Sequence, residues 1–125
     1  MFSESVNVKH LVLLLLKSFR KPIERRMVHF HLHELATLLN VKLLFYGEQP
    51  FSPELEKEID AMIGEGLLKQ IFTVGPLFTE LYREYLVFTD KGRKIADELS
   101  HPELEKIIGD YVATKTTRGG VPGEQ

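Results

Sequence analysis

The sequence predicts a mainly α-helical fold with one small β-hairpin, which is an α+β class. Apolar residues recur at helical spacing in five segments. Two further runs are rich in β-branched and aromatic residues, and the turn-forming pair Gly75-Pro76 lies between them. A chain of 125 residues, 43% of them hydrophobic, is long enough for one domain with its own core. We therefore expect a single domain over residues 1–113 and a flexible, Gly-rich tail over residues 114–125.

Charge and composition exclude several classes of function. The formal net charge is −2, so any nucleic-acid binding must come from a local basic patch. The chain has no cysteine, which excludes disulfides, thiolate metal sites and cysteine nucleophiles. The apolar run at residues 11–16 is too short to cross a bilayer, and its basic residues follow it, which is the reverse of a secretory signal. We therefore expect a cytoplasmic protein that does not contact a membrane.

The first helix should begin near Ser5 or Asn7, because either residue can cap it, and should end near Ser18. Most of its apolar residues share one broad face. Leu13 and Leu14 fall outside that face, so the helix is apolar on nearly all sides. Such a helix either lies centrally in the core or buries its second side against another subunit.

The second helix is predicted over residues 23–39. Pro22 can occupy its first turn, and Asn40 is a plausible end. Residues 41–46 form a short strand candidate, and residues 47–51 are predicted to form a turn.

The start of the third helix is well marked, because Ser52 can cap it and Pro53 suits its first position. Residues 67–74 and 81–88 follow as the two strands of the hairpin. Thr89 then caps a fourth helix. Three helices followed by a two-stranded hairpin are the layout of a winged helix-turn-helix, here with an extra C-terminal helix.

Short motifs give the chain a resemblance to a known set of proteins. The segments are Ser52-Pro53, Gly66-Leu67 and Phe88-Thr89-Asp90-Lys91-Gly92. In these segments the chain resembles the YwgA-like winged-helix proteins and related predicted transcriptional regulators of bacteria and archaea. The resemblance covers about residues 8–100. It implies a winged-helix fold and, from that fold, a regulator that binds DNA.

A basic stretch supplies the candidate contacts to the DNA backbone. Five cations lie within ten residues, with only Glu24 opposing them, and such a patch can neutralise several phosphates. A solvated corner between two helices is the alternative explanation. A sixth cation, near the hairpin tip, completes the candidate set, which is Lys17, Arg20, Lys21, Arg25, Arg26 and Arg83.

Two other features oppose DNA binding. The third helix, which would enter the major groove, has five acids and one base over residues 54–65, and those acids repel phosphates. The hairpin tip offers Leu77 and Phe78, which suit a protein contact unless they fold back onto the core. These features favour an alternative hypothesis, a module that binds protein and does not bind DNA.

The histidines do not predict a metal site. His29 and His33 share a helix face at a spacing that can hold one ion, but no third ligand is obvious, so we expect both to be solvated. His31 should lie in the apolar face and pair with Glu34. The chain has no phosphate-binding Gly-rich loop, nucleophile elbow or zinc motif. We therefore predict no metal, no cofactor and no enzymatic activity.

The terminal helices predict self-association. Leu13 and Leu14 are surplus on the first helix, and the last helix, over about residues 103–112, has its own apolar stripe. Pairing of terminal helices about a two-fold axis would give a homodimer. The alternative is that the two helices pack on each other within one chain. The sequence thus predicts a dimeric DNA-binding transcriptional regulator, with the protein-binding module as the alternative.

Overall fold

Helices dominate the fold of this chain. The computed structural model describes residues 7–74, 83–99 and 101–119. Within these ranges the chain forms five α-helices and three strands, which confirms the mainly helical α+β class. In chain order they are α1 (Val8–Phe19), β1 (Ile23–Glu24), α2 (Arg25–Leu39), α3 (Pro53–Gly64), β2 (Leu68–Thr73), β3 (Arg83–Phe88), α4 (Asp90–Glu98) and α5 (Pro102–Gly119). None of these helices combines the length and the apolar character that a bilayer crossing requires.

The helix ends follow the local signals in the sequence. The side chain of Asn7 accepts a hydrogen bond from the backbone N–H two residues further on, at 2.7 Å. Ser52 and Thr89 accept from the N–H three residues further on, at 3.2 and 3.0 Å. Asn40 adopts a left-handed conformation, with φ of 57°, at the end of α2. These four predicted positions are confirmed, because capping depends only on nearby residues.

The three strands form one antiparallel sheet in the order β1-β3-β2. The hairpin of β2 and β3 confirms the prediction, but β1 corrects it, because the second helix was expected to begin at residue 23. Ile23 pairs instead with Leu86 of β3, and both side chains are buried. A short strand here satisfies the second edge of β3, and a β-branched residue fits the extended conformation. The helix therefore begins at Arg25.

The strand predicted over residues 41–46 does not form. Only Tyr46 makes a bridge, and it pairs with Phe51 across the turn through N–H···O bonds of 2.9 and 3.0 Å. A strand needs a partner for its backbone groups, and β3 already pairs on both sides. The predicted turn is present, and it returns the chain to the start of α3.

Helix α1 lies at the centre of the core. Its residues 11–16 are all buried, and α2, α3, α4 and α5 all contact it. Leu13 and Leu14 are 0% and 1% exposed. The predicted subunit contact depended on an uncovered side of this helix, and that prediction is therefore wrong. Four helices of the same chain already surround α1, so neither leucine offers surface to a second copy.

Helix α5 is longer than the sequence predicts. It was expected to stop near residue 112, yet it continues to Gly119. Residues 114–119 are therefore helical, where the sequence predicted a tail outside the domain. One reason is an anchor at Lys115, whose Nζ lies 3.0 Å from Oε1 of Glu34 on α2. The rest of the predicted tail, residues 120–125, lies outside the described residues.

Candidate functional site

A cluster of charged side chains joins the start of α2 to α3 and β3. The Arg25 side chain is only 13% exposed, and three carboxylates surround its guanidinium. Nη2 lies 2.8 Å from Glu56 and 2.5 Å from Asp60, and Nη1 lies 2.8 Å from Glu84. We call these four residues the Arg25 cluster. One cation faces three anions in it, so the cluster has a net charge of −2.

The carboxylates hold Arg25 firmly in its charged form. Burial by itself lowers the pKa of Arg25, but the hydrogen bonds that its guanidinium donates to Asp60, Glu84 and Glu56 outweigh burial and raise that pKa above its usual value. Arg25 was predicted to contact a DNA phosphate. The structure corrects this, because the side chain turns toward α3, and a phosphate would have to displace three carboxylates to reach it.

The other predicted DNA contacts on the basic stretch differ in exposure and in whether a carboxylate pairs with them. Lys17 on α1 lies 3.7 Å from Glu105 on α5. Arg26 is exposed, and its Nε lies 3.0 Å from Glu24. Two further cations, at the turn after α1, are also exposed, and these are Arg20 and Lys21. The basic patch thus retains three exposed members where the sequence suggested five.

The hairpin end of the predicted site is only partly described. Arg83 is the first residue of β3 and is half-buried. It makes at least one interaction within the chain. Leu77 and Phe78, the predicted protein contacts at the hairpin tip, lie outside the described residues.

His29 is buried, whereas the sequence predicted a solvated side chain. The backbone N–H of Ser52 donates to its Nδ1 at 3.1 Å. Because Nδ1 accepts, the ring proton lies on Nε2, which donates to Oε1 of Glu56 at 2.9 Å. Phe51 stacks on the ring, with 4.7 Å between centroids. A helical wheel cannot reveal this burial, because it is the segment after the turn that folds back over α2.

His31 lies in the core, as predicted, but its partner is different. Tyr111 on α5 stands between His31 and Glu34, the partner that the sequence suggested. The Tyr111 hydroxyl donates to Glu34 at 2.6 Å and lies 2.8 Å from Nδ1 of His31, which therefore donates to it. Burial lowers the pKa of His31 to about 4. Burial, together with Glu34, raises the pKa of Tyr111.

The spacing of His29 and His33 does not create a shared metal site. Both ring nitrogens of His29 already make hydrogen bonds. His33 is exposed, and its ring meets the Phe45 ring edge-on at 5.0 Å. Within the described ranges, no group of three or more histidine or carboxylate side chains could hold a metal ion.

A long groove runs beside α2, and the sequence analysis did not predict it. Its volume is about 2020 Å³. Residues 24–38 line its floor, residues 48–56 form one wall, and residues 107–115 of α5 form the other. Residues 83–84 of β3 lie at one end. We call this feature the α2 groove. It forms because α5 extends beyond its predicted end and because the turn before α3 projects beside α2.

The α2 groove combines apolar side chains with an excess of negative charge. Phe30 and Ile107 are half-buried in it, whereas Phe51 and Leu38 are exposed. Six carboxylates and four cations line the groove, so two negative charges remain. The carboxylates are Glu24, Glu34, Glu48, Glu56, Glu84 and Asp110, and the cations are Arg25, Arg26, Arg83 and Lys115.

Comparison with known proteins assigns no family. No protein-family model matches the chain, and no curated protein is significantly similar to it. The function is therefore inferred from the chemistry and geometry of the residues themselves.

Proposed function

We propose that this chain is a winged-helix module that binds another protein. Three helices precede the β2–β3 hairpin, and β1 pairs with the free edge of β3. This order of elements supports the winged-helix assignment. In that fold α3 is the helix that would enter the major groove of DNA, so its surface decides between a DNA ligand and a protein ligand.

The charge of α3 is the observation that carries the proposal. Residues 54–65 contain five acids and one lysine. Glu54 and Asp60 are exposed on this helix. Phosphates supply most of the affinity in non-specific DNA binding, and an acidic surface repels them. Arg25, the cation next to α3, is already engaged by three carboxylates.

Exposed apolar side chains in the part of the chain that precedes α3 suit a protein ligand. Four large ones come from the end of α2 and the segment that leads into α3. They are Leu38, Leu44, Tyr46 and Phe51. Clusters of exposed apolar and aromatic residues are typical of surfaces that bind other proteins.

Binding to random-sequence duplex DNA tests the proposal. Fluorescence anisotropy would be measured at about 50 mM and about 200 mM salt, the range over which phosphate contacts weaken. We expect no binding at micromolar protein, even at the lower salt concentration. Micromolar or tighter binding that weakens steeply with salt would overturn the protein-binding proposal.

A dimeric DNA-binding regulator is the second candidate, because Arg20, Lys21 and Arg26 are exposed. If they contact the DNA backbone, an Arg20→Ala, Arg26→Ala double variant should reduce the slope of log affinity against log salt by about 2. The matched control is Lys42→Ala, Lys94→Ala, which removes the same charge from exposed positions elsewhere. Equal slopes for the two double variants would remove this candidate.

A further inference from the structure

We infer that the α2 groove binds an amphipathic helix from a partner protein. The apolar side of that helix covers the groove floor, and its Lys or Arg side chains contact the carboxylates at the α3 end of the groove. The inference rests on the proposed protein-binding function and names the class of partner and the place where it binds.

The α2 groove is large enough for a polypeptide ligand. Pockets for small molecules hold about 300–1,000 Å³, and this groove is larger, at about 2020 Å³. A helix about 10 Å across would fill that volume over about 25 Å, or about 17 residues. The part of α2 that lines the floor, residues 25–38, extends over about 21 Å at 1.5 Å per residue. The groove volume therefore corresponds to four or five turns of helix, which is close to the length of α2.

Apolar side chains from all three segments that line the groove offer contacts to a helical ligand. Phe30 lies on the floor, Ile107 on the α5 wall and Phe51 on the opposite wall. Leu38, at the far end of α2, is 63% exposed. A helix that lies in such a groove contacts it through residues at i, i+3, i+4 and i+7. Apolar residues at those positions would face this set of side chains together.

The charge of the groove selects a basic ligand. Around Arg25 the groove is lined by four carboxylates and three arginines, which leaves one negative charge, and the Glu56 and Glu84 side chains remain 31% and 24% exposed. Glu48, on the turn before α3, is also exposed. At the other end, Glu34 is paired with Lys115, and Asp110 is paired with Lys106. Ligand cations therefore gain most at the α3 end, whereas an acidic helix would add to the excess of negative charge.

Two designed peptides provide the probe. Each has about 17 residues, the same leucines at i, i+3, i+4 and i+7, and either lysine or glutamate on both flanks of the leucine face. Anisotropy with the full chain at about 50 mM salt should show the lysine peptide binding about 10-fold more tightly, or more, than the glutamate peptide. Chemical-shift changes in ¹⁵N NMR should concentrate at residues 24–38, 48–56 and 107–115.

Exposed substitutions test the location without disturbing the core. Leu38→Ser and Glu48→Lys should each weaken lysine-peptide binding by about 5-fold or more. The matched controls are Ile71→Ser on β2 and Glu98→Lys on α4, neither of which lines the groove. Both controls should leave the affinity within about 2-fold of the original value.

Several results would overturn the inference. Absence of lysine-peptide binding at about 1 mM, equal affinity for both peptides, or equal effects of groove and control substitutions would each do so. Sedimentation that shows a dimer broken by Leu38→Ser would assign the groove to a second copy of the chain. If the protein does not bind DNA and neither peptide binds the protein, the groove inference is wrong but the proposed function stands. Salt-sensitive DNA binding together with specific peptide binding overturns the proposed function and leaves the groove assignment standing.

Discussion

At the scale of single residues, Arg25 shows that neighbours in space decide what a charged side chain does. In the sequence it belongs to a run of cations. In the structure its carboxylate partners Glu56, Asp60 and Glu84 are 31, 35 and 59 residues away. The guanidinium therefore links three elements of the fold, and the run of cations overstates the charge that is available to a ligand.

Replacing Arg25 should destabilise the fold. Arg25→Ala leaves three carboxylates facing one another, and we expect the free energy of unfolding to fall by about 2 kcal/mol. This is less than for a fully buried pair, because the carboxylates are partly solvated. Urea denaturation measures the change. Arg26→Ala, which removes an exposed arginine and one ion pair, is the control and should cost less than about 0.5 kcal/mol. Equal effects of the two substitutions would contradict the structural role of Arg25.

His31 should make stability depend on pH. Its folded pKa, about 4 because of burial, lies below the value of 6.5 for the unfolded chain. The unfolded state therefore binds a proton first as the pH falls, and stability is lost between these two values. From about pH 7 to pH 5 the loss due to His31 should be about 2 kcal/mol.

The pH effect can be isolated with His31→Gln, which keeps a hydrogen-bond donor and removes the titration. Urea unfolding of both proteins at about pH 7, 6 and 5 gives the difference in slope, and this window lies above the usual carboxylate pKa values. We expect the variant to lose about 2 kcal/mol less than the original chain over this range. Parallel curves would show that His31 titrates alike in the folded and unfolded states.

At the scale of elements, two of the short motifs contact each other. The backbone N–H of Thr89 donates to the carbonyl of Leu67 at 3.1 Å, and the Thr89 hydroxyl donates to the carbonyl of Gly66. Gly92 lies against the same segment, and a Cβ atom there would overlap the Leu67 carbonyl oxygen. The first turn of α4 is thus bonded to the turn that ends α3. Residues that in the sequence only mark the ends of helices therefore form one packed junction.

Two glycine substitutions test this junction. Gly92→Ala should lower the free energy of unfolding by about 3 kcal/mol, because the new methyl group meets backbone that cannot easily move. Gly109→Ala in α5 is the matched control, since among the described residues no atom outside its own helix turn lies within 4 Å of the place that a Cβ would take, and alanine favours a helix. It should stabilise the chain by about 0.5 kcal/mol or more. Thermal denaturation of both variants measures the contrast, and similar melting temperatures would argue against the close contact at Gly92.

At the scale of the whole molecule, the core forms around α1. The helix is apolar on nearly all sides because other helices of the chain surround it. One of these is α5, the C-terminal helix. This arrangement is the alternative in which the two terminal helices pack within one chain. The surplus leucines therefore contribute to folding and give no reason to expect a second subunit on α1.

The central position of α1 predicts the effect of Leu14→Ala. We expect a loss of about 3 kcal/mol in the free energy of unfolding, because a buried leucine is replaced by a cavity. The sedimentation coefficient of the folded protein should not change. Val74→Ala, at an exposed position, is the control and should leave stability nearly unchanged. Normal stability combined with a change from dimer to monomer would instead assign Leu14 to a subunit contact.

The sequence by itself determined the features that depend on neighbouring residues. Asn7, Ser52 and Thr89 begin their helices as predicted, and the β2–β3 hairpin lies where its two runs indicate. A cap or a turn is formed within about four residues, so its signal is present in a short window of sequence. The acidic character of α3, which carries the proposed function, is also visible in the sequence alone.

Only the tertiary structure decided the features that depend on distant residues. Ile23 became a strand because β3 offered a free edge, and His29 was buried because the segment before α3 folded over it. Carboxylates from α3 and β3 surround Arg25 and shield it from solvent. The α2 groove forms only because α5 is longer than predicted. Periodicity shows which residues share a face of a helix, but packing decides what lies opposite that face. For this reason most of the elements could be predicted, whereas β1, the groove and the partners of the charged residues could not.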